Sequence, residues 1–224
     1  MSTMSLDQTT ELAATKPVRR MTGAQRREEI LLAARTVFAE RGLDVPLEEV
    51  AREAGVSIGT LYNRFPTRGA LVDAALTGKV ATAVELAEHA ATMDDPWEGF
   101  AWFLERTCEL QASDRGYNEL CARSLADATE IAALKAKGHG LILEIVGRAQ
   151  RAGVLREDFQ DGDFAFVVWS IARTIEATGS HAPEAWRRHL AFMLDGFRAP
   201  AAHELPHRPL APDEVAQAMR TLGD

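Results

Sequence analysis

Cysteine is scarce. Cys108 and Cys121 are the only two in 224 residues, too few for a disulfide framework and not a CxxC pair, so both read as buried thiols. No apolar run approaches the roughly 20 residues that cross a bilayer. Met1 to Thr15 offers neither a basic nor an apolar targeting region. A cytoplasmic location without membrane contact is therefore expected. Enzyme fingerprints are missing as well: there is no GxSxG, HExxH, phosphate-binding loop or dinucleotide motif. The many carboxylates fall on helix faces where solvated charge is ordinary, so no enzyme activity is expected. His89, His139, His181 and His189 lack close metal-ligand spacing, and His203 and His207 stand in a proline-interrupted segment. Neither a metal nor any other cofactor is called for. The period-two alternation of a half-buried strand is also absent. With 46% hydrophobic and 26% charged residues, the chain nevertheless has the composition of an ordinary folded protein.

The net charge of −8 argues at first against a nucleic-acid partner, but the charge is unevenly spread. Residues 1–15 hold two acids and no base, residues 16–68 ten bases against seven acids, and residues 69–224 fifteen bases against twenty-four acids. A basic end on an acidic body would be held to phosphate by one end and repelled along the rest, which favours end-on docking.

Residues 1–20 are unpatterned and read as a flexible arm ending in Lys16, Arg19 and Arg20. From Thr22 the pattern turns helical. Thr22 and Gln25 have capping-box spacing, Ile30, Ala34, Val37 and Phe38 share a face, and Gly42 closes the segment. Pro46 opens a second, short helix with Leu47, Val50, Ala51 and Ala54 on one side. Gly55, Val56 and Ser57 form a turn into a third helix, capped by Ser57 and stopped by Pro66. Two short helices joined by a three-residue glycine-containing turn are the pattern of a helix-turn-helix. On the third helix Ile58, Leu61 and Phe65 share the packing side. Gly59 and Asn63 point away, flanked by Thr60 and Tyr62. An asparagine on that face fits an adenine edge, while hydroxyls and the Arg64 guanidinium suit phosphate oxygens. Thr67 and Arg68 open a fourth helix whose N-terminus is a natural phosphate site.

The stretch VPLEEVAREAGVSIGTLYNRFPTRGALVDAAL (Val45 to Leu76), preceded by ILLAARTVFAERG (Ile30 to Gly42), resembles the DNA-binding domain of the TetR family of bacterial transcriptional regulators. The resemblance implies a two-domain, all-α protein: an N-terminal three-helix DNA-binding domain, then a larger helical domain for ligand binding and dimerisation. It further implies a homodimer on inverted-repeat operator DNA, acting as a repressor that a small-molecule effector releases. Carried over residue by residue, phosphate contacts fall on Thr60, Tyr62, Arg64, Thr67 and Arg68. Ser57 serves as cap and backbone contact, and Ile58, Gly59 and Asn63 read bases. Many relatives have a hydroxyl residue where this chain has Pro46. PEAWRRHLAFMLDGFRA (Pro183 to Ala199) is similar to the last helix of some members. A helical adaptor that binds protein instead of DNA is the alternative reading.

Beyond Thr67, breaks near Met93–Pro96, Ala112–Gly116, Gly153–Gly162 and Gly179–Pro183 delimit helices at about 68–92, 96–112, 115–127, 128–152, 162–178 and 184–198. The domains follow as 1–20 (arm), 21–67 (DNA-binding), 68–200 (effector and dimerisation) and 201–224, a Pro/Ala-rich tail that allows one short helix at about 213–222. Trp97, Phe100, Trp102, Phe103, Tyr117 and Trp169 are the candidates for an effector pocket. The eighth helix is apolar around most of its circumference and the ninth carries one apolar stripe, with Phe192 off it. Phe166, Trp169, Trp186, Leu190, Met193 and Phe197 are thus the candidate dimer contacts, in a four-helix bundle shared by two subunits. The acidity of the effector domain favours a cationic or neutral apolar ligand over an anionic one.

Overall fold

The computed structural model describes residues 22–123, 125 and 127–221. The expected arm over 1–20 lies outside these residues. Among those described there is no strand, and ten α-helices follow one another. Thr22 and Gln25 close the capping box and start α1 (Gly23–Arg41), which buries Ile30, Ala34, Val37 and Phe38. Pro46 precedes α2 (Leu47–Glu53). The turn to α3 (Ile58–Tyr62) passes through Gly55 at φ +64, a left-handed conformation in which a side chain would be strained, and Val56 N–H then donates to Ala51 O at 2.9 Å. Thr67 caps α4 (Arg68–Thr92) by accepting from Ala70 N at 3.0 Å. The chain continues as α5 (Pro96–Ser113), α6 (Arg115–Ala122), α7 (Thr129–Arg151), α8 (Asp161–Thr178), α9 (Ala185–Phe197) and α10 (Pro212–Thr221).

Two apolar cores form. One joins α1 to α3 with the first half of α4, Tyr117 and Leu120 of α6, and Ile131 at the start of α7. The other joins the end of α4 to α5, α7, α8 and α9. α4 belongs to both, through Leu71, Leu76 and Val80 at one end and Ala87 and Ala90 at the other. The core boundary therefore falls inside α4, not at its start. Two polar clamps lock α4 against α7. Ala128 offers no side-chain cap to α7, and the Asp73 carboxylate takes that role from α4, accepting from Ile131 N at 2.8 Å and Glu130 N at 3.2 Å. At the other end the Arg148 guanidinium of α7 binds the last carbonyls of α4, Ala91 O and Met93 O.

Two helix ends fall short of the sequence expectation: α3 ends at Tyr62, before Pro66, and α6 ends well before residue 127. α6 stops at Ala122, because Arg123 turns to extended backbone and anchors its guanidinium on Asp44 and Glu119, at 3.1 and 2.8 Å. Within the expected tail, residues 212–221 form α10, which packs on α8. The chain that leads there is held by the buried Arg156, which donates to Gly196 O, His203 O and the Asp158 carboxylate.

Candidate functional site

α3 is short, and its two faces are sharply distinct. Leu61 and Phe65 are buried in the first core, with Arg27 lying over the Phe65 ring. Gly59, Tyr62, Asn63 and Arg64 face solvent, and Tyr62 is 46% exposed. Ser57 accepts from Thr60 N at 3.2 Å, and the two hydroxyls sit 2.9 Å apart, so one polar cluster fixes the start of the helix. A Cβ added at Gly59 would meet nothing within 4 Å. No contact inside the protein requires a glycine there, although glycine weakens a helix by about 0.5–1 kcal/mol relative to alanine. Arg64 lies against Gly23 at the start of α1, and Thr67 holds the head of α4.

Two of the sequence-derived residues sit differently. Arg68 is half-buried, and its Nη1 donates to Leu43 O at 2.5 Å and Val45 O at 2.7 Å, bracing the α1–α2 connection. Ile58 is half-buried against the first core, so only part of it is open to an external surface.

A cavity of about 390 Å³ opens among α4, α5, α6, α7, α8 and α10. Of the six aromatic candidates, Phe103, Tyr117 and Trp169 line it. Trp97 and Phe100 do not, because they fill the second core: Phe100 packs edge-on to Phe159 and Phe197, and Trp97 is covered by Arg198. Trp102 faces a separate cleft between α5 and α9. The sequence reading missed the polar part of the wall, where Thr107, Cys121, Lys135, His139 and Asp161 stand among apolar side chains. His139 Nε2 and Asp161 Oδ1 lie 2.8 Å apart and bridge α7 to α8. Burial pushes the Cys121 thiol up to about 11 even though Lys135 pulls the other way, and it raises the Tyr117 hydroxyl well above its ordinary value. Burial also lowers the Lys135 ammonium below the usual lysine range. Val215, Ala216 and Met219 close one side from α10, a helix the periodicity placed correctly but could not dock. Among the described residues no group of three His, Cys, Asp or Glu is placed to hold a metal.

The expected dimer contacts divide. Trp186 and Leu190 are fully buried within the protomer, and Phe197 packs on Phe100 and Phe159. Met193 is half-buried, with Ser170 Oγ 3.6 Å from its sulfur. The Trp186 and Leu190 part of the α9 stripe thus faces this chain's own core, while Met193 and Phe197 remain partly open. The open apolar side chains on the paired α8 and α9 are Phe166, 48% exposed and edge-on to Trp169, and Phe192, 62% exposed. The residue that stood off the stripe is the one that faces outward. No described helix is long and apolar enough to cross a membrane.

The family profile of bacterial regulatory proteins of the tetR family matches residues 30–75, and that of the C-terminal domain of SbtR-like transcriptional regulators matches residues 95–199. No curated protein matches the chain. Among solved structures, a TetR transcriptional regulator from Streptomyces coelicolor is 31% identical over 77% of this chain and 98% of its own, with a TM-score of 0.49. A TetR regulatory protein from Mycobacterium vanbaalenii is 30% identical over 78% of this chain and 96% of its own, with a TM-score of 0.46. The regulator FadR of Bacillus subtilis, solved with stearoyl-CoA, has the same fold at 16% identity, with a TM-score of 0.57 over 79% of this chain and 99% of its own.

Proposed function

The chain belongs to the TetR family of bacterial regulatory proteins, DNA-binding regulators of transcription and not enzymes, and from this we propose a homodimeric repressor that leaves an inverted-repeat operator when a small molecule fills the α4–α8 cavity. The observation that carries the DNA-binding part is the outward face of α3. There Gly59 and Asn63 stand clear of the protein at the centre of a ring of hydroxyls and Arg64. A surface that must approach a base edge closely has a reason for glycine that the protein's own packing does not supply. Asn63 reads a base, Gly59 and the exposed part of Ile58 admit the groove wall, and Thr60, Tyr62, Arg64 and Thr67 hold phosphates, with Ser57 as cap.

Release is supported by α4, which carries Thr67 at its head and Val80 and Val84 in the cavity wall. At about 1.5 Å per residue the helix spans nearly 40 Å, so a small tilt at the cavity moves its head and, through the first core that Leu61 and Phe65 share with Leu71 and Val72, shifts α3. The dimer uses the face of Phe166 and Phe192, which an acidic body leaves free when DNA docks at the basic end.

A gel-shift series against the DNA upstream of the protein's own coding sequence tests this reading, with a scrambled duplex as competitor. Saturable, competitor-resistant binding to an inverted repeat with half-site centres roughly 10 bp or a multiple apart is expected. Equal binding to the scrambled duplex refutes it.

A further inference from the structure

The cavity is apolar over most of its wall, yet Lys135 of α7 lines it. An ammonium has three N–H donors. Two go to Leu120 O at 2.6 Å and Arg123 O at 3.0 Å, carbonyls at the C-terminal end of α6. These partners are dipoles, not a counter-charge. Asp161 of the same wall is engaged with His139 at 2.8 Å. Among the described residues no carboxylate pairs with it, so this desolvated cation is under-compensated, and its third donor has no partner there. Thr107 of α5 is a second, independent sign. Its hydroxyl is buried and has no hydrogen-bond partner among the described residues, where a threonine in a helix usually bonds back to a carbonyl of the preceding turn. Buried polar groups in folded proteins are satisfied, so an orphan hydroxyl in a cavity wall marks where an occupant contributes an acceptor or donor.

We propose that the cavity takes a molecule with an apolar body and a single carboxylate, the carboxylate pairing with Lys135 and the hydroxyls of Thr107 and Tyr117 completing the polar contacts. The body lies on Val80, Val84, Ile142 and the stacked rings of Phe103 and Phe164, with Met219 of α10 closing over it. This deepens the effector reading and reverses the charge preference drawn from composition. The solvated acids outside are screened beyond about 8–10 Å, whereas one desolvated cation in the wall acts directly on whatever enters.

The test is direct binding to the purified full chain without DNA, by calorimetry below micelle concentrations, for dodecanoate, dodecanol and dodecyltrimethylammonium, which share one tail and differ in head charge. Dodecanoate is expected to bind about tenfold or more tighter than dodecanol, and the cation weakest of all. Lys135→Met should abolish that preference by weakening dodecanoate about tenfold while leaving dodecanol unchanged. Equal affinity for acid and alcohol, tighter binding of the cation, or no saturable binding of any of the three overturns the proposal. Where Lys135→Met fails to fold for want of its α6 contacts, the wild-type ranking decides, and Thr107→Val supplies a second readout with a several-fold loss for the acid. DNA is absent from the experiment, so failure here leaves the DNA-binding reading intact. Acid-selective binding that did not change operator affinity would uphold the ligand class and refute effector control.

Discussion

The arginines at either end of the α3–α4 junction look alike in sequence and have different work in the structure. Arg64 is exposed, whereas Arg68 is tied to Leu43 O and Val45 O. Arg64→Ala should weaken binding to cognate and scrambled DNA alike and lower the slope of log affinity against log salt by about 1, with little effect on melting temperature. Arg68→Ala should instead leave two part-buried carbonyls without their donor and lower stability by about 1–3 kcal/mol, read as a drop in melting temperature before any effect on DNA. Asn63→Ala, in contrast, should change sequence preference while sparing stability. Identical salt slopes and melting temperatures for the two arginine variants would sink this division. The cavity wall offers a second test at this scale. A thiol at about 11 is almost wholly protonated at pH 8, and because the thiolate is the nucleophile, alkylation of Cys121 by iodoacetamide should run about a hundredfold slower in the native protein than in denaturant. Equal rates would show that the thiol is not held protonated by its surroundings.

Helix pairing decides how a signal from the cavity could travel. Asp73 of α4 caps α7, and Arg148 of α7 caps α4, so the two longest helices are joined at both ends by charge-assisted hydrogen bonds. Asp73→Ala uncaps α7 and should cost about 1 kcal/mol. It should also reduce the effect of a bound ligand on DNA affinity, measured as the ratio of operator dissociation constants with and without ligand. An unchanged ratio would show that the Asp73 clamp is not part of the coupling. The helices themselves were legible in the sequence because their ends are local chemistry. Thr22 with Gln25, Ser57 and Thr67 are caps and Gly55 is a breaker, each used where the pattern put it, whereas α3 ends at Tyr62, short of the expected stop at Pro66. α6 ran short because its stop is tertiary: Asp44 and Glu119 hold the Arg123 guanidinium outside the helix. The cavity was half legible for the same reason. An aromatic at helical spacing faces either core or cavity, and only the docking of α9 sent Trp97 and Phe100 inward and left Phe103 and Trp169 on the wall. Lys135 gave no signal at all, since a lysine on a helix reads as solvated until a neighbouring helix covers it.

For the molecule as a whole, the proposed dimer rests on two side chains that the protomer does not use. Phe166 and Phe192 are about half or more exposed, on helices that pack on each other, and a two-fold axis through this pair would set four such rings into one four-helix interface. Fully burying a phenylalanine contributes roughly 1.5–3 kcal/mol, so covering the exposed half of four of them gives a gross term of about 3–6 kcal/mol, at the low end of the 4–15 kcal/mol that association costs. Losing half of it should shift the equilibrium decisively. Phe192→Asp is therefore expected to sediment as a monomer at micromolar concentration, with the protomer's helix content unchanged because the ring is 62% exposed, with Arg188 lying over it. Trp186→Asp, on the stripe first expected at the interface, should unfold the protein, since that side chain is 1% exposed inside the protomer. The DNA consequence follows from geometry. A dimer places two α3 helices in successive major grooves and adds the energies of two half-sites, whereas a monomer reaches only one. Phe192→Asp should thus bind a full operator no tighter than a single half-site, and inserting about 5 bp between half-sites should have the same effect on the wild type by turning one groove to the far side of the duplex. A Phe192→Asp monomer that still held the full operator at wild-type affinity would show that the interface lies on another face.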